Sequence, residues 1–284
     1  MQPVIEVKEL HKSYGSLAVV KGLSLNINRG EIFAILGPNG AGKTTTVEIL
    51  EGFRTADSGE ISVLDTDPAI KGSAGLAWRN RIGIVLQSTQ DTAELTVREA
   101  VEHFASYYSN PREVNDVISL VGLAEKADDR ARTLSGGQRR RLDVGLGIIG
   151  RPEVLFLDEP TTGFDPEARR AFWVLIKKLR DEGTTILLTT HYLDEAEALA
   201  DRVAVMNNGE ILEISTPATL GGRANAHATV KWRENNDLKS EATSAPTEFV
   251  KTLSARLGGE VPELSIHRPT LEDIYLSMIG AIHE

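Results

Sequence analysis

Residues 32–45 read IFAILGPNGAGKTT, and the change of texture inside that stretch decides the fold. The run from Ile32 to Leu36 is short and apolar at every position, which suits a strand buried on both faces of a parallel sheet. Gly37-Pro38-Asn39-Gly40-Ala41-Gly42-Lys43-Thr44 then satisfies G-x-x-x-x-G-K-[ST], with Thr45 next and the apolar VEIL at 47–50 continuing into a helix. Each residue type has a physical purpose. Successive backbone N–H groups curl around an anion, and glycines allow that curl without Cβ clashes. Lys43 brings one ammonium to the β and γ phosphates, Thr44 offers a hydroxyl to Mg²⁺, and the helix start adds partial positive charge. An ordinary glycine-rich turn is the bland alternative, and the flanking strand and helix argue against it.

Working outward, VIEVKEL at 4–10 and LSLNI at 23–27 alternate with period two, as half-solvated antiparallel strands do. Downstream, VLFL at 154–157 and TTILLTT at 184–190 look like further buried strands, each ending on charged residues. Asp158 and Glu159 follow the first and His191 closes the second. Between them Asp165-Pro166 marks a helix start, so strand, helix, strand reads as a right-handed crossover. Ligands collect at the carboxyl ends of such strands. A phosphate-bound Mg²⁺ needs a carboxylate on its far side, which makes Asp158 the metal-side candidate. Glu159 is then free to orient and deprotonate an attacking water, and His191 to bond the γ-phosphate or that water, although a structural histidine at the strand end is the alternative. The histidines at 11, 103, 227, 267 and 283 show no metal-ligand spacing.

From about residue 92 to 150 the pattern is helical, opening on a Thr96/Glu99 capping box. Beyond 217 the chain turns polar, with one weak strand at 227–232 and a terminal helix at 269–280, so a boundary is expected near 220. Composition excludes more than it selects. The 284 residues hold no cysteine, which rules out disulfides, thiolate catalysis and Cys-rich metal sites. A net charge of −10, from 31 Lys+Arg against 41 Asp+Glu, disfavours a nucleic-acid partner. No run of about 18 apolar residues offers a membrane span, and the N-terminus does not read as a secretory signal.

Leu134-Ser135-Gly136-Gly137-Gln138, just ahead of the acidic strand, resembles the signature loop of the ABC ATPase superfamily. Together with GPNGAGKTT at 37–45, FLDEPTTG at 156–163 and His191, the chain from about residue 4 to 217 resembles an ABC transporter nucleotide-binding subunit. TTGFDP and the terminal PTLEDIYL resemble its drug-resistance, exporter branch. The resemblance implies an α/β phosphate-loop NTPase core with a mixed central sheet, an antiparallel β subdomain, an inserted helical subdomain and a short C-terminal appendage. On this reading residues 1–220 are the ATPase domain and 221–284 an accessory segment.

The resemblance further implies hydrolysis of Mg-ATP. Tyr14 matches the aromatic that stacks on adenine, although a packed strand-end tyrosine is the alternative. Gln87 matches the glutamine that touches Mg²⁺ or water. Ser135, Gly136, Gly137 and Gln138 would serve the ATP of an opposed copy, with Arg139, Arg140 and Arg141 adding positive charge at that interface. Asp165 would reach across the dimer, and it is equally a helix N-cap. The implied partners are a separate transmembrane permease and a second nucleotide-binding subunit, in a cytoplasmic chain peripheral to the membrane. A soluble relative acting on DNA or ribosomes is the alternative. Phe164 where leucine is usual, and Gly145 and Gly147 within the signature helix, depart from the commonest pattern.

Overall fold

The computed structural model describes residues 3–85 and 94–280, and the chain divides into two compact units, Met1–Ile214 and Ser215–Glu284. In the first unit, β1 (Pro3–Tyr14) and β2 (Leu17–Asn28) pair antiparallel. They precede β3 (Ile32–Leu36), α1 (Lys43–Leu50), β4 (Ser58–Val63), α2 (Gly72–Arg79) and β5 (Ile82–Val85). Strand β4 returns to the other edge of β1, which completes a three-stranded antiparallel sheet. The helical stretch then supplies α3 (Val97–Ala105), α4 (Val114–Leu120) and α5 (Gly136–Ile148). Afterwards come β6 (Val154–Asp158), α6 (Pro166–Asp181), β7 (Thr185–Thr190), α7 (Leu193–Leu199), β8 (Arg202–Asn207) and β9 (Glu210–Ser215).

The central sheet runs β5-β6-β7-β3-β8-β9. Its first five strands pair in parallel, and β9 returns as a hairpin through Asn208-Gly209, both at positive φ. This is the mixed sheet that the sequence suggested. Every residue of β3 is fully buried, as its unbroken apolar run requires. Thr96 caps α3 with Glu99 answering back, so the capping box read from the sequence is formed.

Gly147 is explained by packing. A Cβ there would lie 2.7 Å from Val85 Cγ2, and one on Gly83 would lie 2.2 Å from the Gly147 carbonyl oxygen. The two glycines therefore let α5 lie backbone to backbone on β5, which offsets the roughly 1 kcal/mol that glycine costs inside a helix.

The second unit holds more structure than expected. Strands β10 (Ala228–Glu234), β11 (Asp237–Thr243) and β12 (Ser265–His267) form a sheet in the order β11-β10-β12, accompanied by α8 (Pro246–Leu257) and α9 (Leu271–Gly280). Val230, Trp232, Leu253 and Val261 make its small core. Strand β11 escaped the sequence reading because nearly all of it is exposed, so it has no apolar alternation to read. Its hairpin turns on Asn235-Asn236, both at positive φ, without a glycine to mark it.

Candidate active site

Three strand ends build the site. Because β3 lies between β7 and β8, with β6 beside β7, the carboxyl ends of β3, β6 and β7 open on one edge of the sheet. The loop leaving β3 enters α1 through Gly42 at φ 101°, where a Cβ would come within 2.7 Å of the Val19 carbonyl oxygen. Only glycine fits that turn. The loop is also braced from behind: Gly209 N–H donates to the Ala41 carbonyl at 3.0 Å, and Lys21 N–H donates to the Gly209 carbonyl at 2.9 Å.

Lys43 opens α1 and is 5% exposed. Its ammonium donates to the carbonyls of Gly37 at 2.8 Å and Pro38 at 3.2 Å. Burial lowers its pKa, while Glu159 and Asp158 oppose that shift. The next residue, Thr44, places Oγ1 3.3 and 3.5 Å from the two oxygens of Asp158. Asp158 also accepts from the Thr189 hydroxyl.

Glu159 sits at the centre. Its Oε1 lies 3.8 Å from Lys43 Nζ and 3.2 Å from His191 Nδ1. Its backbone is left-handed at φ 44°, a strained choice for a side chain of this size. Its N–H donates to the carbonyl and hydroxyl oxygens of Thr189 at 3.2 and 3.1 Å. Lys43, Thr44, Asp158, Glu159 and His191 are thus brought together from three separate stretches of sequence.

The other candidates are distributed around this cluster. Asn39 and Gly40 are exposed on the loop, with Pro38 and Thr45 half-buried. Tyr14 ends β1 at 42% exposure, with Lys12 Nζ 5.5 Å and Arg54 Cζ 5.6 Å from its ring centre. Ser135 caps α5, accepting from the Gln138 N–H while Gln138 Oε1 accepts from Ser135 N–H, and both Ser135 and Gly136 face solvent. Gln138 is therefore engaged in the cap. Asp165 caps α6 through the Ala168 N–H at 2.8 Å. Gln87 lies outside the described residues.

The three arginines do not form the common positive face expected of them. Neighbours on a helix point about 100° apart. Arg141 Nη1 donates to the Gly122 carbonyl, Arg139 lies 3.9 Å from Asp143, and Arg140 turns inward at 7% exposure. Arg140 Nη2 donates to the Asp158 carbonyl at 2.8 Å and its Nε to the Pro160 carbonyl at 3.1 Å.

Sequence reading placed Arg140 at the interface, not beside the acidic strand's end, and missed Thr189 and two buried acids. Glu51, at the end of α1, has its pKa pushed up to about 8, first by burial and then by Asp158 and Glu48. Glu195 on α7 is fully buried, and that burial raises its pKa as well. Hydroxyls inside an otherwise apolar buried run, as in TTILLTT, were the available signal for Thr189.

The donor set suits a hard cation. Thr44 and Asp158 offer a hydroxyl and a carboxylate side by side, and no group of three or more His, Cys, Asp or Glu that could hold a metal occurs among the described residues. That fits Mg²⁺, which takes few protein ligands and completes its shell from phosphate and water, better than zinc.

Fold and loop together define a phosphate-loop nucleotide-binding protein. The family model described as ABC transporter matches residues 20–162. The Nod factor export ATP-binding protein I of Burkholderia lata is 35% identical over 302 residues, covering 97% of each chain. The linearmycin resistance ATP-binding protein of Bacillus subtilis is 31% identical over 309 residues, covering 98% of each. Among solved structures, an ATP-binding cassette of an ABC transporter in its ADP conformation is 26% identical with a TM-score of 0.67, over 76% of this chain and 92% of that one. A dimeric bacterial ABC transporter cassette is 25% identical with a TM-score of 0.66, over 75% and 98% respectively. The chain belongs to the ABC transporter family. Within it, the chain is an ATP-hydrolysing, nucleotide-binding subunit.

Proposed function

We propose that this chain energises export through a separate transmembrane permease, paired with a second copy or a similar subunit, by hydrolysing Mg-ATP. The observation that carries the chemistry is Glu159 Oε1 lying within reach of both Lys43 and His191. Export follows the exporter relatives, whose names and near full-length likeness support it. No helix among the described residues is long and apolar enough to cross a membrane, which suits a chain that meets the bilayer through its partner. On the same reading Met1–Ile214 is the motor and the remainder an accessory unit.

In the reaction the loop amides and Lys43 bind the β and γ phosphates, and Tyr14 stacks on adenine. Thr44 and Asp158, with Gln87, would hold Mg²⁺, which neutralises phosphate charge when bound. Glu159 orients a water and takes its proton as the water oxygen attacks the γ-phosphorus; the bond to the bridging oxygen breaks and ADP leaves. His191 steadies the Glu159 carboxylate and the water. The N-terminus of α5, with Ser135 and Gly136 exposed and Gly137 half-buried, serves the γ-phosphate held by the opposed subunit, and Asp165 lies at that junction. Affinity capture of the full-length chain from its native membranes tests the assignment: recovery with an integral membrane subunit is expected, and recovery with ribosomes or DNA alone would refute it.

Tyr14→Ala is expected to cost about 1–3 kcal/mol of ATP binding, the usual range for base stacking on an aromatic ring. Inorganic triphosphate should bind nearly unchanged. Equal losses for both ligands in calorimetry would show that Tyr14 does not stack.

A further inference from the structure

Glu159 is held in a backbone conformation that a glutamate does not choose, and something must hold it there. From β7, Thr189 takes the Glu159 N–H. The carbonyls on either side, those of Asp158 and Pro160, are both gripped by the Arg140 guanidinium, at 2.8 and 3.1 Å. A buried cation aimed at two main-chain carbonyls that bracket one residue acts as a clip on that residue. The clip is expensive, because burial disfavours the guanidinium charge, with Asp143, Asp158 and Glu195 compensating in part. Nothing in a helix requires an arginine there, and its neighbours Arg139 and Arg141 make quite different contacts.

We propose that Arg140 is a positioning residue that sets the aim of Glu159 by fixing the main-chain carbonyls of Asp158 and Pro160. Arg140 lies on α5, the helix that Ser135 caps and Gly136 opens. The clip therefore joins the helix that meets the opposed subunit's ATP to the backbone of the water-activating acid in its own subunit. The inference rests on the general-base and dimer reading given above.

The test is steady-state and single-turnover hydrolysis by full-length Arg140→Met and Arg140→Lys. Arg140→Met should lower kcat about 10- to 100-fold, the range expected when a reacting group is misplaced by about 1 Å. Its KM for ATP should stay within about twofold, because Lys43, the loop amides and Tyr14 are untouched and Arg140 holds the main chain of Asp158 rather than its carboxylate. Arg140→Lys, whose single ammonium can hold one carbonyl well, should recover part of the loss. Added to Glu159→Gln, Arg140→Met should cost less than about twofold more, since both act through one group. Wild-type kcat in a folded Arg140→Met, an unchanged deficit in Arg140→Lys, or multiplicative losses in the double variant would each overturn the proposal. Should Arg140→Met not fold, Arg140→Lys alone decides, because a normal kcat there refutes the two-carbonyl clip. Glu159→Gln alone tests the underlying reading: if it turns over normally, the general-base role fails, whereas a stalled Glu159→Gln beside an active Arg140→Met sinks only the clip.

Discussion

Glu159→Gln is expected to lower steady-state ATP hydrolysis by about 10²- to 10⁴-fold while leaving ATP binding intact, the span that loss of a positioned general base produces. Glutamine matches the shape of glutamate, so it still meets His191 Nδ1 and Lys43, which lie 3.2 and 3.8 Å from Oε1 in the wild type. It does not accept the proton of the attacking water. The γ-phosphate then persists and holds two subunits together longer than in the parent. Scattering in saturating Mg-ATP should therefore show a dimer for the variant, and hydrolysis assays should show the stall. Turnover at the parental rate would remove Glu159 from the base role. A monomer under the same conditions would remove the shared-nucleotide arrangement.

Lys43→Ala is expected to weaken ATP binding roughly 10- to 100-fold, since hydrogen bonds to charged groups are worth about 1.5–3 kcal/mol. The fold should tolerate the change. Lys43 is nearly buried, its charge is disfavoured by desolvation, and its direct hydrogen bonds are to the carbonyls of Gly37 and Pro38 in its own loop. A truncated side chain thus removes a costly charge while sparing the sheet. Calorimetry on the full chain reads the dissociation constant directly, and an affinity equal to that of the parent would deny Lys43 its contact with phosphate.

How legible these residues were depended on how local their cause is. The strand at 32–36, the loop after it and the start of α1 follow from neighbouring residues alone, so sequence spacing sufficed. Asp158 and Glu159 were readable because two acids end an apolar run. Arg140 was not, because a triplet of arginines on a helix gives no hint of which one turns inward. That choice belongs to the packing of α5 near the end of β6. Glu159's positive φ was likewise hidden, since strain is a property of the assembled backbone. In the second unit, β11 lacks the alternation that strand reading depends on, because its residues are nearly all exposed and Leu238 is its one large apolar side chain.

The brace behind the phosphate loop has an implication for how the molecule is made. Both neighbours of β3 in the sheet, β7 and β8, are translated long after it, and so is Gly209, whose amide supports Ala41. On the ribosome the glycine-rich turn emerges early, while its scaffold is still unsynthesised, and closing contacts across so much intervening polypeptide is entropically slow. The phosphate loop of a half-translated chain therefore lacks the amide of Gly209 behind Ala41. The full brace behind the loop exists only in molecules whose synthesis has passed the Asn208-Gly209 hairpin.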